Sequence, residues 1–126
     1  MVSDKKQNIL IVDDEPDMCW ALARILNRMV FCTREAFNGE QALALVGQEH
    51  FPIAFLDAKL PDIEGLDLAA RIIEKDAGVR IFIVSGFFYK NDQEVQQALA
   101  QGLITGFIAK PFDHEEIRTA IRKYCP

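Results

Sequence analysis

Residues 8–16 read Asn-Ile-Leu-Ile-Val-Asp-Asp-Glu-Pro: four consecutive apolar residues that stop on two acids, with a proline three positions beyond the first acid. A short unbroken apolar run of this kind suits a strand covered on both faces, as in a parallel sheet. Pro16 suits the first turn of a helix, where its missing N–H costs nothing. The same order of residues recurs down the chain. Residues 53–56 are apolar and end in Asp57, residues 81–84 are apolar and end in Ser85, and residues 106–109 are apolar and end in Lys110.

Helical patterns fill the intervals. Met18, Leu22, Ile25 and Met29 recur at helical spacing and predict one apolar face of a first helix. Residues 31–37 form a weaker strand with polar interruptions, which places it at a sheet edge. Asn38 and Gln41 are spaced as a capping box and open a second helix that runs to about Val46. Leu60-Pro61-Asp62 is a turn, and a third helix carries Leu66, Ala69, Ala70 and Ile73. A fourth helix covers roughly 92–101, with Gly102 as its stop. Asp113 and Glu116 make another capping pair, and Ile117, Ala120, Ile121 and Tyr124 give the inner face of a fifth helix. Five strand–helix units predict a doubly wound α/β fold: a parallel sheet with helices on both faces.

The 126 residues suffice for one domain, 1–126, with a core at about 8–124. A net charge of −5 argues against DNA or an anionic membrane as the main partner. No apolar run reaches the roughly 20 residues of a membrane span, and no signal-peptide core is present, so a cytoplasmic location is expected. Cys19, Cys32 and Cys125 are odd in number and unrelated in spacing, which indicates neither a disulfide framework nor a zinc site.

Asp13, Asp14, Asp57, Ser85 and Lys110 are each at the end of a buried run. In open α/β sheets ligands bind beyond the carboxyl ends of the strands. With a strand order of 2-1-3-4-5 these residues converge on one crevice. Three carboxylates together repel each other unless neutralised. A hard divalent cation with oxygen ligands, such as Mg²⁺, does this and leaves room for a phosphate oxygen. The lysine and the hydroxyl would hold further phosphate oxygens. Positioning and charge cancellation are what phosphoryl transfer mainly needs, and a carboxylate can serve as its nucleophile.

Together these motifs resemble those of response-regulator receiver domains. Residues 9–16 resemble their opening, Phe55-Leu-Asp57-Ala-Lys-Leu-Pro61 with Gly65 their phosphoacceptor segment, Ser85-Gly86 their switch hydroxyl, and Lys110-Pro111-Phe112 their lysine motif. The resemblance covers about 8–124. It implies a flavodoxin-like (βα)5 fold and phosphorylation of Asp57 by a sensor histidine kinase or phosphotransfer protein. It implies Mg²⁺ held by Asp14, by Asp13 partly through water, by Asp57 and by the carbonyl of Lys59. Ser85 and Lys110 would bind phosphoryl oxygens, with Ser85 and Phe107 forming a switch. A cis peptide between Lys110 and Pro111 is implied too. Such a module is a signalling switch and not a metabolic enzyme: it catalyses only its own phosphorylation and slow dephosphorylation.

Some positions depart from the pattern. Residues 27–32 lack the usual glycine, Leu103 stands where alanine is common, and Phe107 has no hydroxyl. Lys59 and Phe87 fall where the family tunes the lifetime of its acyl phosphate. Phe87, Phe88 and Tyr89 directly follow the switch region, and the fourth helix has only Val95, Ala98 and Leu99 to hold it. The face of fourth helix, fifth strand and fifth helix is therefore the expected surface for an effector or a second copy. Trp20 lies away from the apolar face of the first helix; it either folds onto a neighbour or marks a partner site. His50 and His114 are assigned no role. The chain ends directly after the fifth helix, which suits a stand-alone regulator or a receiver cut from a longer protein. Among rivals, a phosphatase of haloacid dehalogenase type needs two acids separated by one residue, whereas Asp13 and Asp14 are adjacent. A receiver that binds partners without phosphorylation would not need so complete an acidic site. A flavodoxin would need a Ser/Thr-rich phosphate loop after the first strand.

Overall fold

The computed structural model describes residues 7–29, 31–86 and 92–124. Strands and helices alternate: β1 Asn8–Val12, α1 Pro16–Arg28, β2 Cys32–Ala36, α2 Gly39–Gln48, β3 Ile53–Asp57, α3 Gly65–Lys75, β4 Arg80–Ser85, α4 Gln93–Ala100, β5 Gly106–Ala109 and α5 His114–Tyr124. The five strands form one parallel sheet in the order β2-β1-β3-β4-β5. This is the predicted doubly wound arrangement, with the weak strand β2 at an edge.

Period-two alternation divides the core. Leu10, Val12, Ala54, Leu56, Ile81 and Ile83 pack against Ala42 and Val46 of α2, Leu68 and Ile72 of α3, and Val95 and Ala98 of α4. Ile9, Ile11, Ile53, Phe55, Phe82 and Val84 pack on the other side against Leu22, Ile25 and Leu26 of α1 and Ile117 and Ile121 of α5. All five residues of β3 are buried, because that strand is central and covered on both faces.

Helix ends follow their side chains. Asp113 Oδ1 accepts from Glu116 N at 2.9 Å, and Glu116 Oε1 accepts from Asp113 N at 3.1 Å, a complete capping box. At α2 the box is shifted by one: Asn38 Oδ1 accepts from Gln41 N, but Gln41 Oε1 accepts from Phe37 N. After α4, Gly102 adopts φ +76°. Leu103 N then donates to Ala98 O at 2.9 Å and Gly102 N to Leu99 O at 3.1 Å. These are the two bonds of a Schellman stop, and Leu103 packs on the core as its hydrophobic anchor. A larger side chain than alanine is useful at that place.

Three expectations need correction. The buried face of α1 is Cys19, Leu22, Ala23, Ile25 and Leu26, with Met18 and Met29 only half-buried. In α3 the buried residues are Gly65, Leu68, Ala69 and Ile72; Leu66 and Ile73 are half-buried and Ala70 is exposed. Both helices are rotated by part of a turn from the predicted phase, since each carries a second apolar stripe beside the first. Helix α2 continues to Gln48, two residues beyond the predicted end. After α1, where glycine is missing, Phe31 N donates to Leu26 O at 3.2 Å. The aromatic run Phe87, Phe88 and Tyr89 and Cys125 lie outside the described residues. No helix among the described residues is long and apolar enough to cross a membrane.

Candidate functional site

Alternation along the strands predicts which end residues can meet. Asp13 continues the parity of Ile9 and Ile11, Asp57 that of Ile53 and Phe55, and Lys110 that of Ile108. All three therefore project toward the side of the sheet covered by α1 and α5. Ser85 continues the parity of Ile81 and Ile83, toward the side of α4.

The geometry agrees. Lys110 Nζ donates to Asp13 Oδ2 at 2.9 Å and lies 3.7 Å from Asp57 Oδ1. Asp13, Asp14 and Asp57 each offer a carboxylate oxygen within 4.8 Å of the others. Asp13 and Asp57 are buried, at 2% and 7% exposure, whereas Asp14 is open to solvent. Asp13 is held from two sides: its Oδ1 accepts from Glu15 N at 2.9 Å, and its N–H extends the sheet by donating to Ala36 O at 3.1 Å. Lys59 N lies 3.5 Å from Asp57 Oδ1, while the Lys59 ammonium turns outward to 3.8 Å from Glu64.

Ser85 is buried at the end of β4. The ladder pairs Ile83 with Phe107 and Ser85 with Ala109, so Ser85 and Phe107 share one face of the sheet. Lys110 N donates to Ser85 O at 3.0 Å, and the Lys110–Pro111 peptide is cis. The structure thus brings Asp13, Asp14, Asp57 and Lys110 together. Ser85 is tied to Lys110 through its backbone, with its side chain on the other face of the sheet, and Phe107 is half-buried two residues before Ala109, the ladder partner of Ser85.

Charge is unevenly balanced in the crevice. Burial first, then the charge of Asp13, pushes Asp57 up from 3.8 to about 6, against the pull of Lys110 and the Lys59 amide. For Lys110, burial is the largest influence and pulls it down, but the bond to Asp13 and the nearby carboxylates together outweigh it and hold the ammonium above its ordinary value. One ammonium faces three carboxylates. The remaining negative charge, with hard oxygen donors this close, is what a divalent cation of the Mg²⁺ or Ca²⁺ type would neutralise.

Two neighbours were not singled out by sequence. Glu15 Oε1 lies 4.0 Å from Lys110 Nζ; as the third acid in Asp13-Asp14-Glu15 it was visible in the string. Cys19 Sγ donates to Asp13 O at 3.4 Å, and burial pushes this thiol up to about 12, which keeps it neutral beneath the site. Trp20 is 61% exposed, with the Arg24 guanidinium 5.1 Å over its ring, and it borders a groove floored by Ile25 and Phe112.

The family model for the response regulator receiver domain matches residues 9–122. Sporulation initiation phosphotransferase F of Bacillus subtilis is 36% identical over 120 residues, which is 95% of this chain and 94% of that protein. A response regulator from Burkholderia pseudomallei, solved with a phosphorylated aspartic acid, calcium ion and citrate, is 29% identical with a TM-score of 0.80, covering 91% of this chain and 66% of that one. The response regulator TrrA of Thermotoga maritima, solved in complex with Mg²⁺ and BeF, is 25% identical with a TM-score of 0.80, covering 94% of this chain and 98% of that one.

Proposed function

This chain belongs to the response regulator receiver domain family, and from that premise we propose that its 126 residues act as one phosphoacceptor unit, phosphorylated on Asp57 with Mg²⁺ as cofactor. The phosphoryl donor is a phosphohistidine on a sensor kinase or phosphotransfer protein, and the setting is the cytoplasm. The observation that carries the reading is the meeting of Asp13, Asp14 and Asp57 with Lys110 in one crevice.

At neutral pH Asp57 is mostly ionised and can attack phosphorus. The new bond joins an Asp57 carboxylate oxygen to phosphorus, and the P–N bond to histidine breaks with its electron pair leaving on nitrogen. Asp13, Asp14, Asp57 and the Lys59 carbonyl would hold Mg²⁺, which supplies neutralisation of the charge on the phosphoryl oxygens. Lys110 turns from Asp13 toward a phosphoryl oxygen, and the Ser85 hydroxyl donates to another. Movement of Ser85 alters packing on the face it shares with Phe107. The surface of α4, β5 and α5 then changes its affinity for an effector or a second copy, by as much as phosphorylation favours one of two states.

The test is incubation with acetyl phosphate and Mg²⁺ followed by intact mass measurement. A gain of one phosphoryl group is expected in the wild type and none in Asp57→Asn. Equal labelling of both proteins would remove Asp57 from the role.

A further inference from the structure

The segment from Ala58 to Gly65 is a miniature hairpin. Gly65 N closes its base on Ala58 O at 2.7 Å, Lys59 and Glu64 form an antiparallel bridge, and Leu60 N donates to Ile63 O at 3.2 Å across the tip. Pro61 and Asp62 are the tip, and both are exposed. A tip like this is ordinarily free to move.

Here it is fastened to another helix. Asp62 Oδ1 accepts from Gly39 N at 2.8 Å and Oδ2 from Glu40 N at 3.0 Å. These are the first two amides of α2, which have no acceptor within their own helix. Asn38 serves the third amide, on Gln41. The Gly39 amide first, and the Glu40 amide with it, hold Asp62 below its ordinary value even though it is open to solvent. Shape reinforces charge: a Cβ on Gly39 would lie 2.4 Å from Ile63 Cγ2, so only glycine lets the hairpin sit this close.

The hairpin also carries the reacting end of the site. Asp57 precedes its base, and Lys59 lies one residue into it with its N–H directed at Asp57 Oδ1. We propose that Asp62 is a positioning residue: by clamping the hairpin tip to the N-terminus of α2, it fixes Lys59 and Asp57 for cation binding and phosphorylation. This rests on the reading of the site given above. A cap for α2 and nothing more is the competing role, and Asn38 separates the two, because its side chain caps the same helix by accepting from Gln41 N rather than from the hairpin.

The experiment compares Asp62→Ala, Asp62→Asn, Gly39→Ala and Asn38→Ala in the full chain. Mg²⁺ affinity is read by titration calorimetry, and amide exchange at Lys59 and Gly65 is read by NMR on metal-free protein. Asp62→Ala is expected to weaken Mg²⁺ binding by about tenfold, as loss of a residue that orients a metal ligand does, and to speed exchange at both amides. Asp62→Asn keeps one acceptor oxygen and should lose less. Gly39→Ala keeps the carboxylate but pushes the tip away, and should also weaken Mg²⁺. Asn38→Ala should lower the melting temperature and leave Mg²⁺ affinity and hairpin exchange as in the wild type. If Asp62→Ala binds Mg²⁺ as the wild type does, or behaves as Asn38→Ala does, the positioning role is overturned. A wild type that takes up no Mg²⁺ overturns the cation site itself and this role with it.

Discussion

Lys110 donates a 2.9 Å hydrogen bond to Asp13, a residue 97 positions earlier in the chain. The ammonium is the direct counter-charge of a carboxylate that is almost wholly buried. A cation in the crevice would compete with it for the same oxygens. Lys110→Ala should therefore act in two directions. In chelator it leaves buried carboxylates without their counter-charge and lowers stability by about 3 kcal/mol. It should also tighten Mg²⁺ binding, because the competing charge is gone. Urea unfolding with and without chelator, together with calorimetric Mg²⁺ titration, measures both. Unchanged stability together with weaker Mg²⁺ binding would contradict the competition.

The raised Asp57 predicts a pH dependence with a definite sign. Its folded value, about 6, lies above its ordinary 3.8, so between these limits the folded state binds more protons than the unfolded one. Metal-free stability then falls as pH rises through that window, by at most about 3 kcal/mol from this residue. Asp57→Asn should remove this part of the slope and be the more stable protein above pH 6. Saturating Mg²⁺ should flatten the wild-type curve in the same way. Denaturant midpoints taken from pH 4 to 8 in chelator test it, and parallel curves for the two proteins would refute it.

Gly102 holds φ +76° with open space where a Cβ would stand. Gly102→Ala should therefore lose only the conformational preference, about 1 kcal/mol. The loss should be read as a lower denaturation midpoint with labelling by acetyl phosphate unchanged. A loss well beyond this would mean that the Schellman stop also governs the packing of Leu103.

Helix α4 is the shortest of the five and keeps only Val95 and Ala98 buried, as few as α5 keeps with Ile117 and Ile121, so it is held by little packing. Beryllofluoride, as a phosphoryl mimic, should change amide exchange over α4 and β5, including Phe107. Changes confined to the loops bearing Asp57 and Lys110 would leave the proposed switch face without support.

Much of this was legible in the chain. The strand ends were readable because a buried parallel strand is a continuous apolar run, and the first polar residue after it marks the crevice. That rule alone places Asp13, Asp57, Ser85 and Lys110. The phase of α1 and α3 was not readable. Leu66, Ala69 and Ile73 form an apolar stripe as good as Gly65, Leu68, Ala69 and Ile72, and only the neighbouring helix and strand decide which one is covered. The contact of Asp62 with α2 was hidden for another reason. An aspartate after proline satisfies ordinary turn chemistry, and nothing local shows that its carboxylate reaches amides 22 and 23 residues back.

The weak strand β2 has a consequence for how the protein meets other chains. Among the described residues its outer side is a free sheet edge, the kind of place where foreign strands add and aggregates begin. Arg34 and Glu35 stand exposed there, with the Arg34 guanidinium 3.5 Å from Glu49. At the opposite edge β5 is only four residues long. Charge guards one edge and brevity the other, so the sheet is poorly made for extension by another strand. With phosphorylation proposed at the crevice, association is expected at the helical faces instead, and cross-linking with and without beryllofluoride would show whether it follows the state of the crevice.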